Sequence, residues 1–285
     1  MKYKIITDST SDITPEFAAK YGITVLPLEV IFEGKAYKAG IDITNHEFYV
    51  KLNDCLKNSK PLPTTSQVTQ AAFEEALKPY ANKEDTFVCM LLIGKDMSGT
   101  YSSAQKAVEA LNMKNVYMPD TMEVTFGLGC IVAEAAKVAQ KDIGVEEFKA
   151  TVDDYIDRAW IYASIGDLRC LRAGGRLSAV SMLLGTMLKL KPIIYIRHKV
   201  EVCAKVISQG KATRWIVDKV IQERDESMPV YFGSSEAEDI LDDFRTKFKE
   251  QLKLTGKEEE FPLGPVVGVH AGPGCAGIAF FRKKK

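Results

Sequence analysis

TFVCMLLIGKDMSGTYSSAQKAVEAL, running from Thr86 to Leu111, sets the architecture of the chain. Phe87 to Ile93 is an unbroken apolar run bounded by polar residues and Gly94, which predicts a buried strand. Gly94 to Ser98 forms a small polar loop. Ala104, Ala107, Val108 and Leu111 then recur at i, i+3, i+4 and i+7, which predicts a helix with one apolar face. Ser98, Gly99 and Thr100 fall at the start of that helix, where free backbone N–H groups and the positive end of the helix dipole converge. Such a terminus accepts an anion such as a carboxylate or phosphate. Serine is also a leading N-cap residue, and taken alone this stretch favours the cap over the ligand contact.

The 285 residues are 46% hydrophobic and 27% charged, an ordinary globular balance that predicts one large or two ordinary domains. Basic and acidic residues number 38 each. With no basic stripe carrying interleaved aromatics, nucleic acid is not an expected partner. The closing run Arg282-Lys283-Lys284-Lys285 reads as a solvated tail. None of the six cysteines (Cys55, Cys89, Cys130, Cys170, Cys203, Cys275) forms a C-x-x-C pair, so free thiols in a reducing compartment are expected. No apolar run reaches the ~20 residues of a membrane span, and Met1-Lys2 leads straight into a strand with no leader pattern. A cytoplasmic location is therefore expected. His46, His198 and His270 lack metal-ligand spacing in sequence, and no metal or cofactor is expected.

From the start of the chain, a strand is expected at Lys4–Thr7, followed by the polar run Asp8-Ser9-Thr10-Ser11-Asp12. Thr14 and Pro15 open a helix. Ile23–Phe32 reads as one strand, turned back at Glu33-Gly34-Lys35. Thr44 and Glu47 form a capping box for a helix through about Leu52, with His46 exposed on it. Pro61 and Pro63 introduce the loop Thr64-Thr65-Ser66-Gln67, and a helix with Ala71, Ala72, Phe73 and Leu77 follows. Asn115–Met118 is a strand, and Thr125–Lys141 and Val145–Arg158 are helices. This alternation predicts a parallel sheet with helices on both faces.

The pattern changes near Ile161. Tyr162–Ile165 reads as a strand, Gly174 as a helix stop and Ser178 as the next N-cap. The following helix carries Met182, Leu183, Leu184, Met187 and Leu188. Ile193–Ile196 and Val200–Ala204 form an antiparallel pair. Lys211–Arg224 is a helix, Val230–Phe232 a strand and Glu236–Leu254 a charged amphipathic helix. Val266–His270, the turn Ala271-Gly272-Pro273-Gly274 and Ile278–Phe281 read as strand, turn, strand.

Several enzyme templates fail. There is no G-x-x-x-x-G-K-[ST] for ATP phosphates and no G-x-G-x-x-G after a strand for a dinucleotide. Asp8 ends a strand, but position 10 is threonine, so the paired strand-end aspartates of metal-dependent phosphoryl chemistry are missing. Asp8 reads as a hydrogen-bonding turn residue. What remains is a set of small polar groups at strand ends and helix starts (Thr65, Ser66, Ser98, Gly99, Thr100, His270) within a large pool of Leu, Met, Ile and Phe. Hydroxyl donors with one histidine suit a carboxylate better than a multiply charged phosphate. The methionine-rich segment at 182–188 is compatible with plain core or with an adaptable apolar cavity. His270 alone reads as a hydrogen-bonded core residue.

Five ordered motifs resemble those of the DegV family: Ile6-Thr7-Asp8-Ser9-Thr10-Ser11-Asp12, Thr65-Ser66-Gln67, Ser98-Gly99-Thr100-Tyr101-Ser102-Ser103-Ala104, Gly174-Gly175-Arg176-Leu177-Ser178 and His270-Ala271-Gly272-Pro273-Gly274. The resemblance covers Lys4 to Phe281. Members of that family serve as the fatty-acid-binding subunit of the bacterial fatty acid kinase. The resemblance implies a two-domain α/β fold, with an N-terminal parallel sheet flanked by helices and a C-terminal mixed α/β domain. The expected division is 1–160 and 161–285, with segments crossing between them.

The resemblance also implies a noncatalytic subunit without an ATP site. Its long-chain fatty acid is presented to a separate kinase catalytic subunit, which forms an acyl-phosphate. The carboxylate would be held by Thr65, Ser98 and His270, with Ser66, Gly99 and Ala271 beside them. Met182, Leu183, Met187 and Leu188 are candidates for the acyl tunnel, and Arg172 and Arg176 for the partner surface. Two departures stand out. Val68-Thr69 replaces the usual P-S after T-S-Q, and Ile207 occupies the place of a family arginine, which bears on how a kinase partner would dock. A serine esterase or acyltransferase using Ser98 and His270 is the competing enzymatic reading, although no G-x-S-x-G elbow surrounds Ser98. A binder of a shorter carboxylate is a third.

Overall fold

The computed structural model describes residues 1–175, 190–251 and 258–284. The expected N-cap Ser178, the methionine-rich helix with Met182, Leu183, Met187 and Leu188, and Arg176 lie outside the described residues.

Strand β1 (Lys2–Asp8) opens the chain. A 3-10 turn follows, and helix α1 (Pro15–Tyr21) begins where Thr14 Oγ1 accepts the Phe17 N–H at 3.2 Å. Gly22 ends it in the left-handed region, at a φ of 64°. The expected single strand Ile23–Phe32 is in fact two, β2 (Thr24–Leu26) and β3 (Glu29–Phe32). Pro27 has no N–H for a ladder, and the Leu28 N–H is taken by Ser9 Oγ at 2.9 Å. The chain therefore leaves one sheet and starts another. The turn at Glu33-Gly34 has positive φ at both residues and returns the chain as β4 (Lys35–Lys38).

The capping box forms as expected, with Thr44 and Glu47 bonded reciprocally, and α2 runs on past Leu52 (Asn45–Lys57). Thr64–Ser66 is strand β5 rather than loop, antiparallel to β3 with Thr65 opposite Val30. Helix α3 (Gln70–Leu77), strand β6 (Thr86–Leu91), helix α4 (Thr100–Ala110) and strand β7 (Val116–Tyr117) follow. The first sheet is parallel throughout, in the order β2-β1-β6-β7, and β4-β3-β5 form a separate three-stranded sheet.

Helices α5 (Thr125–Val138) and α6 (Val145–Arg158) lead into β8 (Ala159–Ser164). Helix α7 (Leu168–Ala173) stops at Gly174 as expected. Strands β9 (Lys191–Arg197) and β10 (Lys199–Val206) are antiparallel. Next come α8 (Gln209–Glu223), β11 (Val230–Ser234), α9 (Glu238–Gln251) and β12 (Glu259–Glu260).

The expected strand at Val266–His270 is a helix, α10 (Pro265–Ala271), and only β13 (Ala276–Phe281) is strand there. Gly264 is the N-cap and Pro265 takes the first helical position, a start signal that outweighs the strand-like Val-Val-Gly-Val run. The second sheet is mixed, in the order β10-β9-β8-β13-β11-β12. The fold is thus α/β, with a parallel sheet flanked by helices and a mixed sheet.

Helix α5 lies between the two larger sheets. It packs against β1 and β6 on one side and β8, β11 and β13 on the other. Nearly every residue from Thr125 to Val138 is buried, as a helix apolar on all faces requires. The motif Asp8-Ser9-Thr10-Ser11-Asp12 locks this arrangement. Asp8 Oδ2 accepts the Ile93 N–H at 2.9 Å and joins the ends of β1 and β6, while Oδ1 holds Thr10. Asp12 accepts from Thr125 Oγ1 at 2.5 Å and from the Gly264 N–H at 2.9 Å, tying the start of α5 to the start of α10.

Candidate functional site

The residues brought together by these elements line a cavity of about 370 Å³ walled by strands of the second sheet and the three-stranded sheet, the loops after β6 and β7, and α10. Thr65 and Ser66 come from β5, and Ser98 and Gly99 from the loop before α4. His270 and Ala271 come from the last turn of α10. All six of these sequence candidates border the one cavity.

His270 Nε2 lies 3.3 Å from Thr65 Oγ1, across 205 residues of chain. Ser98 Oγ accepts the Thr100 N–H at 3.2 Å and lies 3.0 Å from Thr100 Oγ1. Ser98 lines the cavity and its Oγ accepts the N–H of Thr100, the first residue of α4, but the N-cap itself is Gly99, which has no side-chain capping bond, so Ser98 is not the N-cap that the sequence favoured. Gln67 also lines the cavity, and its Nε2 donates to Ser103 Oγ at 2.7 Å, fixing the T-S-Q segment on α4. A side-chain carbon on Gly99 would fall 1.9 Å from Gln67 Oε1, so a larger residue there would force the Gln67 amide to move.

The turn after α10 is held by a buried residue that sequence reasoning did not single out. Ser235 Oγ donates to the Gly272 carbonyl at 2.8 Å and accepts the Cys275 N–H at 2.7 Å. Cys275 lines the cavity, but burial pushes its thiol up to about 12, so it stays protonated and is a poor nucleophile.

Away from the hydroxyls the wall is apolar. Ile161, Ala163 and Ile165 come from β8 and the residue after it, and Ile194 and Ile196 from β9. Strand period puts each set on one face, and the opposite faces, with Tyr162 and Ile193, belong to a different core cluster. Met97, Val124, Phe126 and Val200 complete this region. The alternating Ile-x-Ala-x-Ile signal was visible in the sequence, but which sheet face bounds a cavity was not. The four sequence-predicted tunnel residues fall outside the described segments; Arg172 is exposed near the end of α7.

A cavity bordered by hydroxyls and an imidazole and otherwise mostly apolar has the chemistry that suits a small amphiphile. A family model described as "Uncharacterised protein, DegV family" matches residues 2–283. A DegV domain-containing protein of Caldanaerobacter subterraneus is 32% identical, the match covering 99% of each chain. This chain belongs to the DegV family. A solved structure from Thermus thermophilus, described as fatty acid binding of a DegV family protein, superposes with a TM-score of 0.90 at 26% identity. It covers 99% of this chain and 100% of its own. DegV from Bacillus subtilis, described as a fatty acid binding protein, gives a TM-score of 0.81 at 25% identity, covering 99% and 100%. Among the described residues, no helix is long and apolar enough to cross a membrane.

Proposed function

We propose that this protein binds one long-chain fatty acid, with the carboxylate at Thr65, Ser98 and His270 and the tail along the apolar wall. The observation that supports this reading is that three segments distant in sequence, carrying Thr65, Ser98 and His270, border one cavity whose lining is mostly apolar, with Thr65 against His270. Each buried methylene contributes ~0.8 kcal/mol, so about fifteen give roughly 12 kcal/mol before the cost of immobilising the chain. The tail supplies most of the affinity and the polar end sets direction. Hydroxyl donors keep the head group charged where burial alone would protonate it. The chain in this reading forms two units, 1–160 and 161–285, with segments crossing between them, and the ligand lies between the units. In this reading the protein is noncatalytic and cytoplasmic. A separate kinase subunit phosphorylates the bound carboxylate after docking near Arg172 and Arg176.

Native mass spectrometry of protein expressed in a bacterial host tests this: a co-purified fatty acid of fixed mass is expected, and a ligand-free cavity under all lipid conditions would refute it. The esterase reading finds less support. Ser98 Oγ is engaged with Thr100 while His270 Nε2 faces Thr65, which is not a nucleophile–base pair. No labelling of Ser98 by a fluorophosphonate is expected.

A further inference from the structure

We propose that Asp96, Asp120 and His198 form a binding site for a divalent cation of the Zn²⁺ or Mn²⁺ class, which clasps the β9–β10 hairpin to the loops of the first sheet. The three ligand atoms come from three segments: the loop after β6, the loop after β7 and the tip of the hairpin. All lie within 4.8 Å of one another. His198 Nδ1 is 3.3 Å from Asp96 Oδ2 and 3.8 Å from Asp120 Oδ2. A cation about 2.0–2.2 Å from each donor needs only small side-chain movements to gather such a set.

Two of the three segments are anchored by hydrogen bonds. Asp120 is mostly shielded, and its Oδ1 accepts the Lys95 N–H at 3.2 Å and the Met122 N–H at 3.1 Å, which aims Oδ2 at the cluster. His198 sits in the left-handed region, at a φ of 61°, and its own N–H bonds to the Met122 carbonyl at 2.9 Å. That contact holds the hairpin tip against the Asp120 loop. The side chains of Asp96 and His198 are about half exposed, leaving them free to adjust and leaving coordination positions open to water.

One imidazole with two carboxylates selects a borderline divalent metal over a soft one. One competitor is present: Lys95 Nζ lies 3.5 Å from Asp120 Oδ2. Its exposed side chain can swing into solvent, and its removal leaves the acidic pair uncompensated. The site adjoins the cavity, since Met97 follows Asp96 and Val200 lies just beyond the hairpin tip, and both are lining residues. It does not depend on what the cavity holds.

EDTA-stripped full-length protein titrated calorimetrically with ZnCl₂ and with MnCl₂ tests the proposal. One site per chain is expected for at least one of the two metals, with slower hydrogen exchange at the hairpin tip on binding. Asp96→Asn and His198→Gln, both at exposed positions, should each weaken binding at least tenfold while leaving the metal-free melting temperature unchanged. Lys95→Ala should tighten it several-fold, a gain that a purely structural lysine would not give. No binding of either metal, or affinity unaltered in both weakening variants, would overturn the proposal.

Discussion

Gly174 presses against the imidazole of His270: a side-chain carbon at position 174 would fall 2.1 Å from Nδ1. Gly174 and the H-x-G-P-G turn therefore meet in space, and the glycine leaves the room in which the histidine ring sits. Gly174→Ala should push His270 away from Thr65. A loss of affinity for a long-chain fatty acid of about tenfold is expected, equivalent to ~1.4 kcal/mol and typical of one hydrogen bond to a charged group. Isothermal titration with delipidated protein checks it; unchanged affinity would show that the ring position is immaterial.

Ser98→Ala should have two separable effects. Loss of the bond to the Thr100 N–H should lower stability by about 1 kcal/mol, the net worth of one ordinary hydrogen bond. Loss of the cavity-facing hydroxyl should weaken fatty-acid binding, and an alcohol of equal chain length should be affected less. Denaturant melts and a ligand series read the two effects independently.

Gly99 and Gln67 form a second interlocked pair. Gly99→Ala should displace the Gln67 amide, break its bond to Ser103 and cost roughly 1 kcal/mol. Adding Gln67→Ala should recover part of that loss, giving a non-zero coupling in a double-mutant cycle. Strict additivity would count against the clash.

Burial raises the Asp12 carboxyl to about 7 despite its bonds to Thr125 and Gly264. The unfolded chain ionises near the ordinary carboxylate value, so between pH 4 and 7 the folded state holds the extra proton. Stability falls with rising pH across that window, by up to roughly 1.4 kcal/mol per pH unit, and the slope from this group ends above 7. Asp12→Asn should flatten that part of the profile in urea titrations at pH 5, 6, 7 and 8. Parallel wild-type and variant profiles would show that Asp12 titrates normally.

Glu123 is fully buried, neither carboxyl oxygen has a well-formed hydrogen bond, and desolvation holds its pKa well above the usual range. It lies against Gly127, where an added side-chain carbon would be 2.5 Å from Oε2. Replacing an unsatisfied buried carboxyl with an apolar group of similar size should stabilise the protein, so Glu123→Leu is expected to raise stability by about 1–3 kcal/mol. A lowered melting temperature would mean that the carboxyl has a partner in solution.

The sequence made the local parts of this site readable. The strand–loop–helix around Ser98, the Thr44–Glu47 capping box and the Glu33-Gly34 turn each depend on residues a few positions apart. Three local readings failed: Thr64–Ser66, read as loop behind Pro61 and Pro63, pairs as strand β5 with β3, and two more failed where competing signals overlapped. Pro27 split an apparently continuous strand, and Gly264-Pro265 turned the Val266–His270 run into a helix. Contacts between distant segments had no local signature at all. Thr65 against His270, Gly174 against the same ring, and Asp96 and Asp120 with His198 depend on how sheets and helices pack, and only the family resemblance pointed to the first.

Helix α5 offers no outward face, because strands of two different sheets cover its opposite sides. Severing the chain near residue 160 would strip one of those covers and leave an oily rod bare to water. Neither half is then a natural stopping point for expression or for evolution by shuffling. The polypeptide should melt in one cooperative step, with its ligand cleft made or lost together with the structure as a whole.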